Sequence, residues 1–427
     1  MAPAKLSILM VSDFFYPDTG GVETHIYQLS QALMLEGHHV VVVTHSRDQA
    51  PGIRYLTNGL KVIYLPRRPL FLGNTMPSFY GLFPALHRIM AQERIDVVHA
   101  HQAFSTMAHE SLLAARLAGV PAVFTDHSLF GFADLGSIAL NKAMKFTLVC
   151  ANAAICVSHT SKENTVLRAC LPPRLVHVIP NAVDAALYAP NPEARRPGRV
   201  TVVALSRMVY RKGIDLLIAI LPVIAARHPD VDFVIGGDGP KLGALRHMVE
   251  EAGLSDRVAL LGHVRPDQVR DVLVQGHIFL NCSLTEAFCM AIVEAAAAGQ
   301  RTLQTFEEAM ERYAALDPWQ QHRAVKQMYS WKAVRQRTES VYHKVAESSD
   351  GTDMLTTLQR MRQAGPWYGL ICCCVLALGW LVWQVLDWWN PPGSISRAPR
   401  FPVRIVREAD KEASADPCDV IRASRCA

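Results

Sequence analysis

The chain has 427 residues, half of them apolar, with 19% charged and a formal charge of +5. That length accommodates two domains of ordinary size plus a tail. So mild a positive balance, with no basic stripe, excludes nucleic-acid binding as the organising purpose. The ten cysteines show no zinc-ligand spacing, and three of them, Cys372 to Cys374, fall inside an apolar run. They fit reduced thiols rather than a disulfide framework.

The first apolar, β-rich stretch, 6–11, is too short and too soon followed by Asp13 for a leader, so it is the first predicted strand. A helical stretch at 23–35, closed by Gly37, separates it from a strand at 40–44. Further strands are predicted at 62–65, 97–100, 120–125 and 154–157. Strand and helix alternate, as in a parallel doubly wound sheet. A Pro-rich, charged stretch at 189–199 marks the domain boundary. A second α/β block follows, with strands at 200–206, 233–235, 258–261 and 278–280 and helices at 213–227 and 286–298. Beyond Gly299 come helices at 306–316 and 319–344, then the short linker Ser348-Ser349-Asp350-Gly351.

Residues 367–386 carry no charge and are long enough to cross a bilayer as a helix, with Trp367, Tyr368, Trp388 and Trp389 at its ends. A buried core helix is the alternative reading. Arg360 and Arg362 precede the run, and Arg397, Arg400, Arg404 and Arg407 follow it, so charge leaves its orientation open. The expected organisation is a first lobe at 1–185, a second lobe with terminal helices at 186–345, a linker at 346–366, a transmembrane helix at 367–386 and a polar tail at 387–427.

Candidate chemistry gathers where strands meet helices. Gly20 and Gly21 open the first helix, where backbone N–H groups and the helix field suit a phosphate; a plain glycine turn has the same form. Arg207 and Lys212 follow the opening strand of the second block, at the strand end where open α/β sheets bind ligands; solvated surface cations are the alternative. Glu286 and Glu294 are spaced to face one cleft if both lie on one helix. Gly236 lies in the turn Gly236-Gly237-Asp238-Gly239-Pro240, Asn181 and Asp184 lie at the lobe junction, and His127 ends a strand of the first block. Apolar residues around Phe79 and Phe83, beside Arg67 and Arg68, are either ordinary core or a face for membrane and acceptor.

The loop G-G-V-E-T at 20–24, S-R-M-V-Y-R-K-G at 206–213, G-G-D-G-P at 236–240 and E-A-F-C-M-A-I-V-E at 286–294 resemble, in this order, the family 4 retaining glycosyltransferases. The stretches 125–134, 157–168 and 274–281 narrow the resemblance to members that begin glycosylphosphatidylinositol anchor synthesis. The resemblance covers residues 1–299 and implies a GT-B fold, two Rossmann-like domains facing a cleft. It also implies transfer of N-acetylglucosamine from UDP-GlcNAc to phosphatidylinositol at the cytosolic face of the endoplasmic reticulum, with other membrane subunits as partners and with neither metal nor cofactor. Carried over by position, Gly20, Gly21 and Gly236 lie at the donor, Arg207 and Lys212 neutralise the departing UDP, and His263 with its neighbours reads the uracil. Glu286 holds the sugar, Glu294 binds the ribose, and His127 approaches the sugar from the first lobe.

One departure stands out. The family continues after the second glutamate with another strand and a G-G-x-P-E loop. Here Ala298-Gly299-Gln300-Arg301-Thr302 runs straight into charged helical sequence. An internal shortening of the second domain is therefore expected. Two rival readings follow: a shortened, inactive membrane-held subunit, and a lipid-directed mannosyl- or glucosyltransferase of the same fold.

Overall fold

The computed structural model describes residues 4–47, 50–71, 73–129, 135–302, 306–347 and 354–399. Leu72, most of the run 129–134, the linker residues 348–351 and the arginines at 400, 404 and 407 lie outside the described residues.

Uninterrupted β-branched runs, such as Val40 to Val43, suit strands covered on both faces. The first sheet is built from β1 (Ser7–Val11), β2 (His39–His45), β3 (Gly52–Tyr55) and β4 (Lys61–Leu65). After a small hairpin of β5 (Pro69–Phe71) and β6 (Asn74–Thr75), the sheet continues with β7 (Val97–His101), β8 (Ala122–Asp126), β9 (Ala153–Cys156) and β10 (Val176–Val178). The order is β10-β9-β8-β7-β1-β2-β4-β3. Only β3 is antiparallel to its neighbour.

Because side chains alternate along a strand, Ile8 and Met10 face one layer while Leu9 and Val11 face the other. On the first side lies α1 (Gly21–Leu35), with Ile26, Leu29 and Leu33. On the second lie α2 (Phe83–Glu93), α3 (Thr106–Ala118) and α4 (Leu135–Thr147). The helix α5 (His159–Ala169) leads from β9 to β10. Of these elements, the sequence patterns miss β3, the β5–β6 hairpin and β10, all short and partly exposed, and give no bounds for α2 to α5, which only the strand–helix alternation implies.

The second sheet contains β11 (Val200–Leu205), β12 (Val231–Gly236), β13 (Val258–Gly262) and β14 (Ile278–Phe279), ordered β13-β12-β11-β14 and wholly parallel. The helices α6 (Ile214–Arg227) and α7 (Leu242–Glu251) cover one face. The short α8 (Val269–Leu273) and α9 (Met290–Ala297) cover the other. Among the described residues, pairing beyond β14 consists of one parallel bridge between Ile278 and Arg301. The sheet therefore stops where the sequence departs from its family. Gln300 Oε1 and Arg301 Nε are buried there without a hydrogen-bond partner, each a loss of about 1–3 kcal/mol.

The helical region then divides into α10 (Phe306–Arg312), α11 (Pro318–Met328), α12 (Trp331–Glu347), α13 (Met354–Arg362) and α14 (Pro366–Trp389). The expected single helix at 319–344 is broken after Met328. Asp317 caps α11, its side chain accepting from Trp319 N. Although α12 follows the second lobe in sequence, it packs on the first sheet through Val334, Val341, Tyr342 and Val345. The helix α14 is long and apolar enough to cross a membrane. One stripe of it, with Cys372, Leu376 and Trp383, packs against the first lobe, while Trp367, Leu381, Val385, Trp388 and Trp389 are exposed.

That stripe corrects the reading of Phe83 as a membrane contact. Phe83 is 1% exposed and meets the Trp383 ring edge-on at 5.7 Å, because α14 covers it. Phe79, at 64% exposure, remains on the surface.

The sheet edge also carries a pH dependence. His277 Nδ1 accepts from Thr201 N at 3.0 Å. Burial, with Arg195 nearby, pulls this imidazole down to about 4. A base depressed by folding contributes stability that is complete above its unfolded value of about 6.5 and is lost as pH falls through the folded value. The melting temperature is expected to fall from about pH 6.5 toward 4. His277→Asn, which keeps an acceptor but does not titrate, should flatten that slope in a thermal-unfolding series.

Candidate active site

In parallel sheets every strand delivers its exit loop to the same edge. In the second lobe, Arg207 and Lys212 leave β11, Gly236 to Gly239 leave β12, Gly262 and His263 leave β13, and Glu286 follows β14. Backbone bonds knit these loops together. Ser206 N donates to Gly236 O at 3.1 Å, Met208 N to Asp238 O at 2.9 Å, Gly237 N to Gly262 O at 2.7 Å and Leu284 N to Arg211 O at 3.1 Å. Two glycines are obligatory. A Cβ on Gly213, whose φ is +67°, would lie 1.8 Å from Cys282 O, and one on Gly237, at φ +139°, would lie 1.8 Å from Ser206 O.

This knitting brings Lys212 and Glu286 into a direct ion pair, each about three-quarters buried. Arg207 and His263 remain exposed. Glu286 and Glu294 do not share a helix, contrary to the sequence reading. The helix α9 begins at Met290, so Glu286 sits in the preceding loop while Glu294 lies within the helix. Their environments differ accordingly. Glu294 is hydrogen-bonded by the Tyr188 hydroxyl, and burial pushes its carboxyl up. Sequence reasoning misses Tyr188, which stands alone in the stretch before the second lobe.

In the first lobe, Gly20 is an extended N-cap with no side-chain cap, and Gly21 opens α1 with free space where a Cβ would stand. The Glu23 carboxylate folds back over this turn and accepts from the Val22 and Glu23 N–H groups, so an incoming anion would have to displace it. Beside them lies a set of imidazoles of which sequence reasoning finds only His127. His127 Nε2 is 3.3 Å from His101 Nδ1, and its ring lies 4.7 Å from that of His25. Behind them the His99 ring lies 3.9 Å from that of His101, tilted by 36°, with its nitrogens 2.6 Å from the Tyr342 and Thr125 hydroxyls. Burial is the leading cause that pulls all four imidazoles down, His25 to about 4 and His99 to about 3. Strand alternation places His99 and His101 on one face of β7, a signal the sequence offers.

Two buried carboxylates complete this edge. Asp13 accepts from Thr75 N and Oγ1 and from Ser105 Oγ and Met107 N, all at 2.7–3.0 Å. Asp126 accepts from Ser128 N and Thr165 Oγ1, and burial raises its carboxyl to about 6. Arg67 lies 4.0 Å from the buried Glu110, and Arg68 makes no described contact with the site. Cavities of about 570 and 480 Å³ lie elsewhere, beside Arg195 and Tyr313 and between β10 and α12.

Residues 19–187 match the family model Glycosyltransferase Family 4, and residues 189–313 match Glycosyl transferases group 1. The phosphatidylinositol N-acetylglucosaminyltransferase gpi3 subunit of Schizosaccharomyces pombe is 45% identical over 418 residues, covering 91% of this chain and 91% of that protein. A phosphatidylinositol N-acetylglucosaminyltransferase subunit from Arabidopsis thaliana is 47% identical over 424 residues, covering 93% and 95%. This chain belongs to that family of glycosyltransferases. Among solved structures, the Anabaena protein Alr3699/HepE in complex with UDP superposes with a TM-score of 0.62 at 17% identity, covering 79% of this chain and 100% of that one. That likeness supports the GT-B fold. The Arabidopsis alignment spans 424 positions yet uses 93% of the 427 residues here, so the relative carries positions that this chain skips.

Gly213→Ala is expected to destabilise the second lobe by more than the ~1–2 kcal/mol of a left-handed residue alone, because the Cys282 backbone must also move. Thermal unfolding of the variant beside Gly243→Ala, where a Cβ meets open space, measures the difference.

Proposed function

We propose that this glycosyltransferase moves N-acetylglucosamine from UDP-GlcNAc to phosphatidylinositol with retention of anomeric configuration, the first step of glycosylphosphatidylinositol anchor synthesis. The names of its relatives support the donor sugar and the acceptor. The observation that carries the chemistry is the Lys212–Glu286 pair at the exit edge of the second sheet.

The lobe at 1–185 serves the acceptor and that at 186–345 the nucleotide sugar. The N–H groups at Gly20 and Gly21 and the turn at Gly236 cradle the donor, and the backbone at Gly262 and His263 reads the base. Arg207 and Lys212 stabilise the charge that develops as UDP leaves, a task that needs no metal in this reading. Glu286 orients the sugar, Glu294 with Tyr188 binds the ribose, and His127 meets the sugar from the first lobe. With no carboxylate assigned to the far face of the sugar, attack from the leaving-group side is favoured over a double displacement. The exposed face of α14 is the membrane anchor, Phe79 with Arg67 and Arg68 adjoins the lipid, and other membrane subunits complete the enzyme at the cytosolic face of the endoplasmic reticulum.

Glu286→Gln should abolish transfer without lowering expression, since an amide lacks the charge that pairs Lys212 and holds the sugar. Replacing Arg207 or Lys212 by Ala should lower turnover by about a hundredfold or more. A change confined to donor KM would instead make them ground-state binding groups.

A second reading, a shortened and inactive subunit, is favoured by the single bridge at Arg301. Inserting the family's strand and loop after Thr302 is expected to raise both melting temperature and transfer. Cells lacking the endogenous enzyme, scored for surface glycosylphosphatidylinositol-anchored proteins, compare the two forms. Full rescue by the 427-residue chain would reject the inactive reading.

A further inference from the structure

The transfer reading uses one imidazole of the first lobe, yet several converge there. His25 from α1, His101 from β7 and His127 after β8 each offer a ligand atom, all within 4.8 Å of one another. The 3.3 Å between His101 Nδ1 and His127 Nε2 matches the ligand–ligand edge of a tetrahedron with metal–nitrogen bonds of about 2.0–2.1 Å. His25 Nδ1 is buried with no hydrogen-bond partner, although His25 itself is 7% exposed. A ring nitrogen left without a partner, on an imidazole gathered with two others, marks a ligand set short of its ion.

We propose that His25, His101 and His127 bind one zinc ion, leaving a fourth position open beside the donor site.

Three imidazoles without a carboxylate select a borderline-soft ion and reject magnesium and calcium, which require oxygen ligands. Their surroundings are already ordered. His101 Nε2 lies 3.4 Å from Met10 Sδ, the tilted His99 ring packs 3.9 Å from that of His101, and Trp331 meets the edge of His25 at 5.5 Å. Such outer contacts fix ring orientation. The ion is not a cofactor for transfer. It engages the His127 ring that the sugar would otherwise meet, so occupancy closes the site to the donor; this consequence rests on the transfer reading, whereas the binding does not.

The test begins without substrate, using the full chain purified in detergent. Equilibrium dialysis against zinc should give one ion per chain, and cobalt should give the visible bands of a tetrahedral centre. Both should be lost in His101→Gln and in His25→Asn, with circular dichroism confirming that the variants are folded. His247→Ala, on exposed α7, should retain both. Absence of uptake, or uptake unchanged in the two cluster variants, overturns the site; if His101→Gln does not fold, His25→Asn decides alone. Zinc should then slow transfer by the wild-type chain, with recovery on chelation. Full transfer by a zinc-loaded chain would overturn the closure while leaving the measured binding to stand on its own.

Discussion

Parallel pairing is the constraint on which this molecule depends. Apart from β3, every strand of the two large sheets runs with its neighbours. Each crossover must therefore pass over a face of the sheet, and each exit loop must emerge at one edge. Residues remote in sequence meet there because strand direction leaves them nowhere else. Asp13 and Ser105 share hydrogen bonds across the first edge, as Lys212 and Glu286 share an ion pair across the second. The return of α12 adds a link between the halves. Tyr342 bonds His99 and Trp331 touches His25, so a helix that follows the second lobe in sequence supports the imidazoles of the first.

Lys212 and the two glutamates of the second edge are compensated in different ways. Lys212 and Glu286 neutralise one another. An incoming diphosphate would let Lys212 turn from one anion to another without passing through an unpaired buried state, which would be costly. Glu294 has a hydroxyl in place of a cation, and burial raises it. Two glutamates eight positions apart thus occupy different electrostatic settings, and different settings divide carboxylates between roles. In the first lobe, the buried imidazoles of His25, His99 and His101 and the partly exposed one of His127 avoid mutual repulsion by remaining neutral. A neutral imidazole remains able to accept a hydrogen bond, or an ion, at each bare nitrogen.

The strands buried on both faces are legible in the sequence because their apolar runs are unbroken, from Val40 to Val43 and from Val200 to Val203. Gly20, Gly236 and Lys212 stand out in the sequence as glycines and a cation in strand-exit loops, a form they share with plain turns and surface charges. The start of α9 is not. Helix-favouring residues from Glu286 onward suggest an earlier beginning, but the loop must first span the edge to reach Lys212 and Arg211. Phe83 misleads for a related reason. An apolar side chain in the first turn of α2 is equally suited to lipid or to a partner helix, and that partner, Trp383, lies three hundred residues away. His25 escapes notice because a single histidine on an apolar element carries no signal until its neighbours in space are known, whereas His99 and His101 are readable as alternate residues of β7.

The truncated edge of the second sheet concentrates what remains at stake. Past Arg301 a parallel sheet should continue under helices on both faces, yet β14 keeps a single bridge there. The terminal helices offset part of this loss. Gln321 Nε2 donates to Ala296 O and Gln300 O, His322 Nδ1 meets Ala297 O at 2.8 Å, and Val325 joins Val293 and Ala297. The last turn of α9 is therefore held by α11. The carboxylates draw unequal benefit from that support. Glu294 sits within the clamped helix, with Tyr188 on its carboxylate. Glu286 lies ahead of the helix, fixed by Lys212 and by the Leu284–Arg211 bond, with no described contact to α11. Catalytic geometry tolerates displacements of only about half an ångström, so the loop bearing Glu286, rather than the helix bearing Glu294, is where a shortened sheet edge would first be felt.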